Sequence, residues 1–417
     1  MQLNPAKAIW EPYLETDDPC EACEGNPCLQ VCPSFEENFS ALAGWTDASQ
    51  TVGPYEEIYT TYSTSEAIRT RASSGGIIKE LCRYYLENKL VDGVITLRHD
   101  EGLEYSAALY DSVQDVINTP GSIYHNINFE NAIEILKTTS GEFLLIATPC
   151  QLTSITKWMQ VCPDQVVGNL KVTIGLICGW QFTRHTLKHF CRSVGINYDQ
   201  LTDATYRGGD AHGKLMLQTG DETRYFNRRT KFGADKHHFT YRTAFSRTYN
   251  SQRCLLCVEH VNFLADIVVG DAWLERNKDD KLGTSIIIIR NADRIQDIQA
   301  LVEQGNIEIQ SATEEDIVES QSPDLAYGIS ARQIIRKLKQ QGKFAPMYTL
   351  PLPDVGMPSL KIWWKNYLTP KLFRSLTWNG FGYPWFRWRV LMRKVSLIFS
   401  LPMLGLRFIS RKLFKSS

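Results

Sequence analysis

Residues 143–159 read FLLIATPCQLTSITKWM, and this stretch decides the architecture. Phe143 to Ala147 is a continuous apolar run of strand length, while Leu152 to Met159 places its apolar residues at helical spacing. Thr148-Pro149-Cys150 is the turn between them. A strand passing straight into a helix is the unit of an α/β sheet, and similar units lie on both sides. Upstream, helical spacing predicts a helix over Gly76 to Asn88, and the apolar run Val91 to Leu97 predicts a strand. Downstream come strand Val172 to Cys178, helix Arg184 to Arg192, and strands Ala265 to Val269 and Ser285 to Arg290. This alternation predicts an α/β or mixed sheet. Asp203 to His238, rich in Gly, Arg, Lys and His, has no clear period and is expected to be an exposed loop or irregular hairpin region. No internal repeat or low-complexity tract is present.

The 417 residues, 43% hydrophobic and 22% charged, suffice for two or three packed domains and exclude a disordered chain. The divisions expected are a cysteine-rich module at 1–45, a first α/β domain at 46–135, a second at 136–350, and a tail at 351–417. Met1 to Trp10 lacks a secretory apolar run, so a cytoplasmic location with reduced thiols is expected. No segment approaches the roughly 18 uninterrupted apolar residues of a membrane-spanning helix. The net charge of −1 hides an asymmetry: after Asp354 there is no acid but twelve Lys and Arg, leaving 33 basic against 46 acidic residues in the rest.

The eleven cysteines fall into two sets and a remainder. Cys20, Cys23, Cys28 and Cys32, followed by Pro33, have the spacing C-x2-C-x4-C-x3-C-P in a segment with little periodic hydrophobicity. Four thiols this close call for a metal. The run is similar to those of bacterial ferredoxins, which have two residues between the second and third Cys, and a [4Fe-4S] cluster is preferred over zinc, whose ligand pairs usually come from separated knuckles. In two-cluster ferredoxins the last Cys of such a run ligates the other cluster, so Cys32 can belong to either. The second set is dispersed: Cys150, Cys178, and the pair Cys254 and Cys257. Cys150 and Cys178 follow strands, and carboxyl strand ends in an α/β sheet open into the crevice where ligands bind. They can thus meet the CxxC pair, although Cys178 alone also reads as a small buried hydrophobe and the pair alone as zinc ligands or a redox dithiol. Cys82, Cys162 and Cys191 have no partner at ligand spacing and are expected to be structural.

Ser73-Ser74-Gly75-Gly76 directly precedes the first helix, with Arg71 just before it. Hydroxyls, glycine amides and a helix N-terminus together suit the pyrophosphate of a dinucleotide; the plain alternative is a serine cap. This loop is one of eight motifs in a fixed order. They are Val52-Gly53-Pro54, Arg71 to Gly76, Val91-Asp92-Gly93-Val94-Ile95, Gly121-Ser122-Ile123-Tyr124, Ala147 to Gln151, Gly175 to Gly179, Tyr206-Arg207-Gly208-Gly209 and Ala265 to Trp273.

Taken together, over roughly residues 15 to 295, these motifs resemble the coenzyme F420 hydrogenase/dehydrogenase beta-subunit family, which includes ferredoxin-linked chlorophyll-pathway reductases. The resemblance implies a mixed-sheet, flavin-binding α/β core; the cysteine spacing adds an N-terminal ferredoxin-like iron-sulfur module, and the composition after residue 350 a basic, aromatic-rich helical tail that sets this chain apart from a minimal family member. The resemblance also implies FAD at Arg71, Ser73, Ser74, Gly75, Gly76, Thr148, Pro149 and Gln151, and a second [4Fe-4S] cluster at Cys150, Cys178, Cys254 and Cys257. Three departures stand out. Ala147 replaces a glycine before Thr-Pro-Cys, Val258 to Phe263 lacks the glycine expected before Leu264-Ala265-Asp266, and the N-terminal cysteine spacing is longer than usual.

A flavin exchanges electrons in pairs and a cluster singly, so the implied protein interconverts the two. The expected function is an oxidoreductase passing electrons between a ferredoxin-like donor and FAD to reduce a small organic substrate, in surface polysaccharide or lipid-linked metabolism. The alternative is a noncatalytic electron-transfer subunit of a hydrogenase or dehydrogenase complex using reduced deazaflavin. A zinc-stabilised binding protein is a third reading. His212, His185 and Asp271 are the candidate proton donors, each equally readable as a solvated or capping side chain. In the tail, Trp363, Trp364, Trp378, Trp385 and Trp388 alternate with Lys and Arg. The preferred reading is peripheral docking on the anionic inner face of a membrane; the other is aromatic packing on the body or on a partner protein. The aliphatic clusters Leu391-Met392 and Val395 to Phe399 argue against nucleic acid.

Overall fold

The protein is described by a computed structural model over residues 2–11, 27–47, 49–208, 213–228 and 235–394. Cys20, Cys23 and His212 lie outside the described residues, as does the end of the tail. The longer strands, in chain order, are β1 (Glu57–Ser63), β2 (Gly93–His99), β3 (Tyr105–Tyr110), β4 (Gly141–Ala147) and β5 (Gly168–Leu176), then β6 (Asp203–Gly208), β7 (Lys214–Thr219), β8 (Glu222–Asn227), β9 (Ile267–Asp271), β10 (Ser285–Ile289) and β11 (Ile307–Ser311). Eight of them form one mixed sheet in the order β11-β1-β10-β9-β5-β4-β2-β3. The four strands β2, β4, β5 and β9 are mutually parallel, and antiparallel strands flank them on both sides.

Why these segments are strands follows from where alternate residues go. Ile286 and Ile288 enter one hydrophobic core while Ile287 and Ile289 enter another on the opposite face, and Leu144 points away from Phe143 and Leu145 in the same manner. A strand buried on both faces must be apolar throughout, which is why these runs do not alternate in sequence. Helices cover the faces, among them α1 (Ile77–Glu87), α2 (Pro149–Val161) and α3 (His185–Val194). The helices and strands expected from the sequence are all present, with ends shifted by up to four residues.

The segment 203–238 takes the irregular hairpin form of the two expected. It is not an exposed loop: β6, β7 and β8 form a three-stranded antiparallel sheet whose Ala204, Tyr206, Leu215, Leu217 and Phe226 are buried against Leu187 and Phe190 of α3. The described part of the N-terminal segment is likewise tied to the body. Phe39 and Trp45 are fully buried, with ring centroids 5.1 and 4.8 Å from that of Phe263, and Glu36–Asn38 pairs in parallel with Met347–Thr349.

In the tail, helices cover Thr369–Trp378 and residues 382–394. Trp363 is buried, and Phe373, Phe386 and the partly buried Trp385 join the core around Tyr249 and α3. Part of the aromatic set therefore packs on the body. Trp364 and Trp388 stay 58% and 55% exposed, while the side chain of Trp378 is outside the described residues. No described helix is long and apolar enough to cross a membrane.

Candidate functional site

The carboxyl ends of β4, β5 and β9 open into a cavity of about 510 Å³. Its walls include Ser73, Ser74 and Gly76 from the loop before α1, Thr148 and Gln151 after β4, Cys178 and Gly179 after β5, and Asp271 and Trp273 at the end of β9. Ligands bind at this edge of an open α/β sheet because the loops that follow parallel strands converge there.

The loop before α1 is held from several directions. Ser73 Oγ accepts from the Ser122 amide (2.7 Å), Ser74 Oγ donates to the Thr284 carbonyl (3.1 Å), and the Gly75 amide donates to Ser285 Oγ (3.1 Å). Gly75 is required by contact: a Cβ there would sit 2.8 Å from both the Ser285 amide nitrogen and the Thr61 carbonyl. Gly76, at φ +85°, turns the chain into α1, whose first-turn amides have no intrahelical partner. Lys79 of that turn also lines the cavity, donating to the carbonyls of Ile117 (2.5 Å) and Thr119 (3.1 Å), and burial lowers its pKa to about 8. Of the residues expected here, Arg71, Gly75 and Pro149 do not line the cavity. Arg71 is exposed and bonds Asn118 (3.2 Å), and Pro149 is the buried first residue of α2.

The four dispersed cysteines come together. Cys254, Cys150 and Cys257 each add to the upward push that burial gives the Cys178 thiol, so the turn after β4, the loop after β5 and the segment 254–257 are neighbours. Each is fixed by its surroundings. Cys254 Sγ accepts from Ser251 Oγ (3.0 Å) and the Gln181 amide (3.4 Å), and Cys257 Sγ accepts from Arg253 Nη1 (3.3 Å). The Cys178 amide donates to the His260 carbonyl (2.9 Å), and His260 Nδ1–H donates back to the Cys178 carbonyl (2.8 Å). Burial pushes the thiols of Cys150, Cys178 and Cys257 up, the last to about 12. Ligation by a cationic centre would offset that cost. Among the described residues no group of three or more His, Cys, Asp or Glu is set to hold a metal ion. A four-iron cluster needs less closeness, because its own cage fills the space between the sulfurs.

Arg253 links this set to the N-terminal cysteines. Besides Cys257, its guanidinium donates to the carbonyl of Pro33 (3.2 Å), the residue after Cys32, and lies 3.8 Å from buried Glu37. Lys157 of α2 donates to the Glu36 carbonyl (2.6 Å). Cys28 is exposed and Cys32 partly so. Within the stretch Val258 to Phe263 that lacks a glycine, Asn262 takes φ +50° and donates to the Ala147 carbonyl (3.1 Å). Asn tolerates the left-handed region better than most residues. Cys82 and Cys191 are buried, and Cys162 caps α2.

Asp271 caps no helix: it pairs with Arg207 inside the cavity. His185 Nε2 bonds the Ala6 carbonyl (3.0 Å), away from the cavity. Sequence reasoning assigned no role to Arg207, Arg228, Tyr124 or Asp324, all of which line it; burial pushes the Asp324 carboxyl up to about 6.

A mixed sheet with a crevice at its parallel strand ends defines the class of open α/β proteins. Residues 58–134 match the N-terminal part, and residues 141–315 the C-terminal part, of the family described as the coenzyme F420 hydrogenase/dehydrogenase beta subunit. The chain belongs to the coenzyme F420 hydrogenase/dehydrogenase beta-subunit family. It is 23% identical over 263 residues to the coenzyme F420 hydrogenase subunit beta of Methanococcus voltae, covering 61% of this chain and 84% of the relative. The same subunit of Methanothermobacter thermautotrophicus is 22% identical over 236 residues, 53% of this chain and 76% of the relative. The coenzyme F420-dependent sulfite reductase of Methanocaldococcus jannaschii is 20% identical over 214 residues, 48% of this chain but 32% of that protein. A chain from the xenon-derivatised F420-reducing [NiFe] hydrogenase complex of Methanosarcina barkeri shares the fold, with a TM-score of 0.54 and 17% identity over 71% of this chain and 97% of that one.

Proposed function

We propose that this protein is an electron-transfer beta subunit of a hydrogenase or dehydrogenase complex that exchanges electrons with a reduced deazaflavin. On this reading FAD occupies the crevice, one [4Fe-4S] cluster sits at Cys150, Cys178, Cys254 and Cys257, and another at Cys20, Cys23, Cys28 and Cys32. The observation that carries it is that Cys178, influenced electrostatically by Cys150, Cys254 and Cys257, lines the cavity that Ser73, Ser74 and Gly76 also line. When bound, the flavin supplies two-electron chemistry and the clusters one-electron transfer. The chain's own part is to bind and insulate. The α1 N-terminus and the loop amides hold the pyrophosphate, Thr148 and Gln151 border the ring, and Arg253 offsets the charge of the sulfurs while tying the two cysteine sets together. Arg71 and Pro149 shape these turns from outside the cavity. The tail, without an acid after Asp354, docks the complex on an anionic membrane surface.

Anaerobic purification with iron, sulfide, zinc and flavin analysis tests the assignment. About eight irons and one FAD per chain are expected, with Cys254→Ser losing about four of the irons. Zinc without iron or flavin would sink the reading. Turnover of an organic substrate by the purified chain alone, fed by ferredoxin, would favour a self-sufficient oxidoreductase over a subunit.

A further inference from the structure

We propose that Arg374 is the centre of a phosphate-binding site where the N-terminal hairpin and the tail helix Thr369–Trp378 close over the body. The site is separate from the crevice, since the two cavities share no lining residue, and it stands whether or not the electron-transfer reading does.

This second cavity, of about 180 Å³, is lined by Lys7 and Glu11 of the hairpin, by Thr183, Ser251 and Gln252 of the body, and by Arg374. The hairpin pairs Gln2–Asn4 with Ile9–Glu11, and its turn is fastened to the start of α3. There the Arg184 amide donates to the Ala8 carbonyl (3.0 Å), beside the bond from His185 to Ala6. The tail helix is fastened through Phe373, whose ring centroid lies 4.6 Å from that of Tyr249. Lys7, Glu11 and Arg374 all fall outside residues 58–134 and 141–315, so two elements beyond the family match build this cavity on the body.

Arg374 is only 9% exposed, and its buried Nη1 has no hydrogen-bond partner among the described residues. The one carboxylate in the described lining, Glu11, is engaged by Lys7 Nζ (2.8 Å) and Asn4 Nδ2 (2.7 Å), which hold its pKa down. Burial lowers the pKa of Arg374 to about 10, and the group acting the other way is the Tyr367 phenol, not a carboxylate. A buried charge left unpaired is costly, so an anion entering the cavity removes a cost that the fold carries. The guanidinium donates in one plane, while the Thr183 hydroxyl and the Gln252 amide add donors from the body. The three outer oxygens of a phosphate group use donors in more than one plane, whereas the two of a carboxylate use the fork alone. The volume suffices, since one water needs only roughly 10–15 Å³ on the same scale. Bound there, one anion joins hairpin, body and tail.

The test is calorimetric titration of the full chain, purified anaerobically without phosphate, with inorganic phosphate and, in parallel, with acetate. Phosphate should bind more tightly than acetate, and Arg374→Gln should weaken it at least about tenfold, the loss of one charge-assisted hydrogen bond. No phosphate binding, acetate bound as tightly, or affinity unchanged in Arg374→Gln would overturn the proposal. Should that variant not fold, Thr183→Val and Gln252→Ala keep the guanidinium in place, and each should weaken phosphate at least about threefold. Unchanged affinity in both rejects the site. Thermal unfolding gives a second readout: phosphate should raise the midpoint of the parent protein and leave that of Arg374→Gln unmoved, and equal shifts in the two count against Arg374. Once binding is established, phosphatidylglycerol vesicles identify its source. Free phosphate that displaces the parent protein but not Arg374→Gln from the vesicles, at constant ionic strength, assigns the site to a lipid headgroup; vesicle binding that is absent or indifferent to phosphate assigns it to a soluble phosphate.

Discussion

Asn262 shows how a single residue can satisfy a backbone requirement normally met by glycine. It combines φ +50° with a side-chain bond to Ala147, and it packs so closely beneath β5 that a Cβ at Gly175 would lie 2.4 Å from it. Asn262→Ala loses both the left-handed tolerance and the buried hydrogen bond, and should cost about 2–4 kcal/mol. Asn262→Gly loses only the bond and should be milder. Guanidinium chloride midpoints of the two variants check this order; equal losses would remove the backbone from the explanation. At the same scale the cysteines stand out in the sequence, because thiol spacing and position after strands are chemical signals. Arg207 stands out only as part of a motif and Arg228 not at all, since an arginine in a polar segment reads as solvated until tertiary structure encloses it. Arg71 misled for the converse reason: it sits beside the loop in sequence but bonds Asn118 outside the cavity.

Among elements, β6 to β8 were hidden by their mixed composition. Leu215, Leu217 and Phe226 are the inward positions of strands six residues long, set among lysines, arginines and glycines that dilute any period. The apolar strands of the main sheet, two of them only five residues long, had no such competition. The tail helices were expected as an interfacial element, and their packing divides the roles. Phe373, Phe386 and Trp385 anchor to the body, whereas Trp388, Leu391 and Met392 share one outward face with Arg387 and Lys394 exposed beside them. That face should carry the lipid contact. Cosedimentation with phosphatidylglycerol vesicles is expected at low salt, weakened by high salt and by Trp388→Ala combined with Leu391→Ala. Equal binding to phosphatidylcholine vesicles, or none to either, would remove the membrane from the reading.

For the molecule as a whole, the second core, which joins α3, the small sheet and the tail, has two buried imidazoles at its heart and edge. His125 receives a bond from Tyr206 Oη (2.6 Å) and donates Nε2–H to the Leu103 carbonyl (2.9 Å), while His189 bonds Tyr249 Oη (2.8 Å) amid aromatic rings. Burial lowers both pKa values to about 3. Once unfolded, each protonates near pH 6.5, so the unfolded chain binds more protons and stability should fall as pH drops from 6.5 towards 3. The slope is at most about 1.4 kcal/mol per pH unit for each imidazole. Urea unfolding at about pH 7 and about pH 5.5 should show the loss, and His189→Gln should shrink it; an unchanged slope would place its origin elsewhere.

The strand order of the main sheet has a consequence for how this chain is made. Strand β1 is the first of the sheet to leave the ribosome, yet its two neighbours, β10 and β11, are the last. More than two hundred residues of synthesis separate its emergence from its pairing, so Ile58 and the other apolar residues of β1 wait as an unpaired edge. Folding of high contact order is slow for the same reason. A chain truncated before residue 285 would expose that edge with nothing to close it, and aggregation is its natural fate.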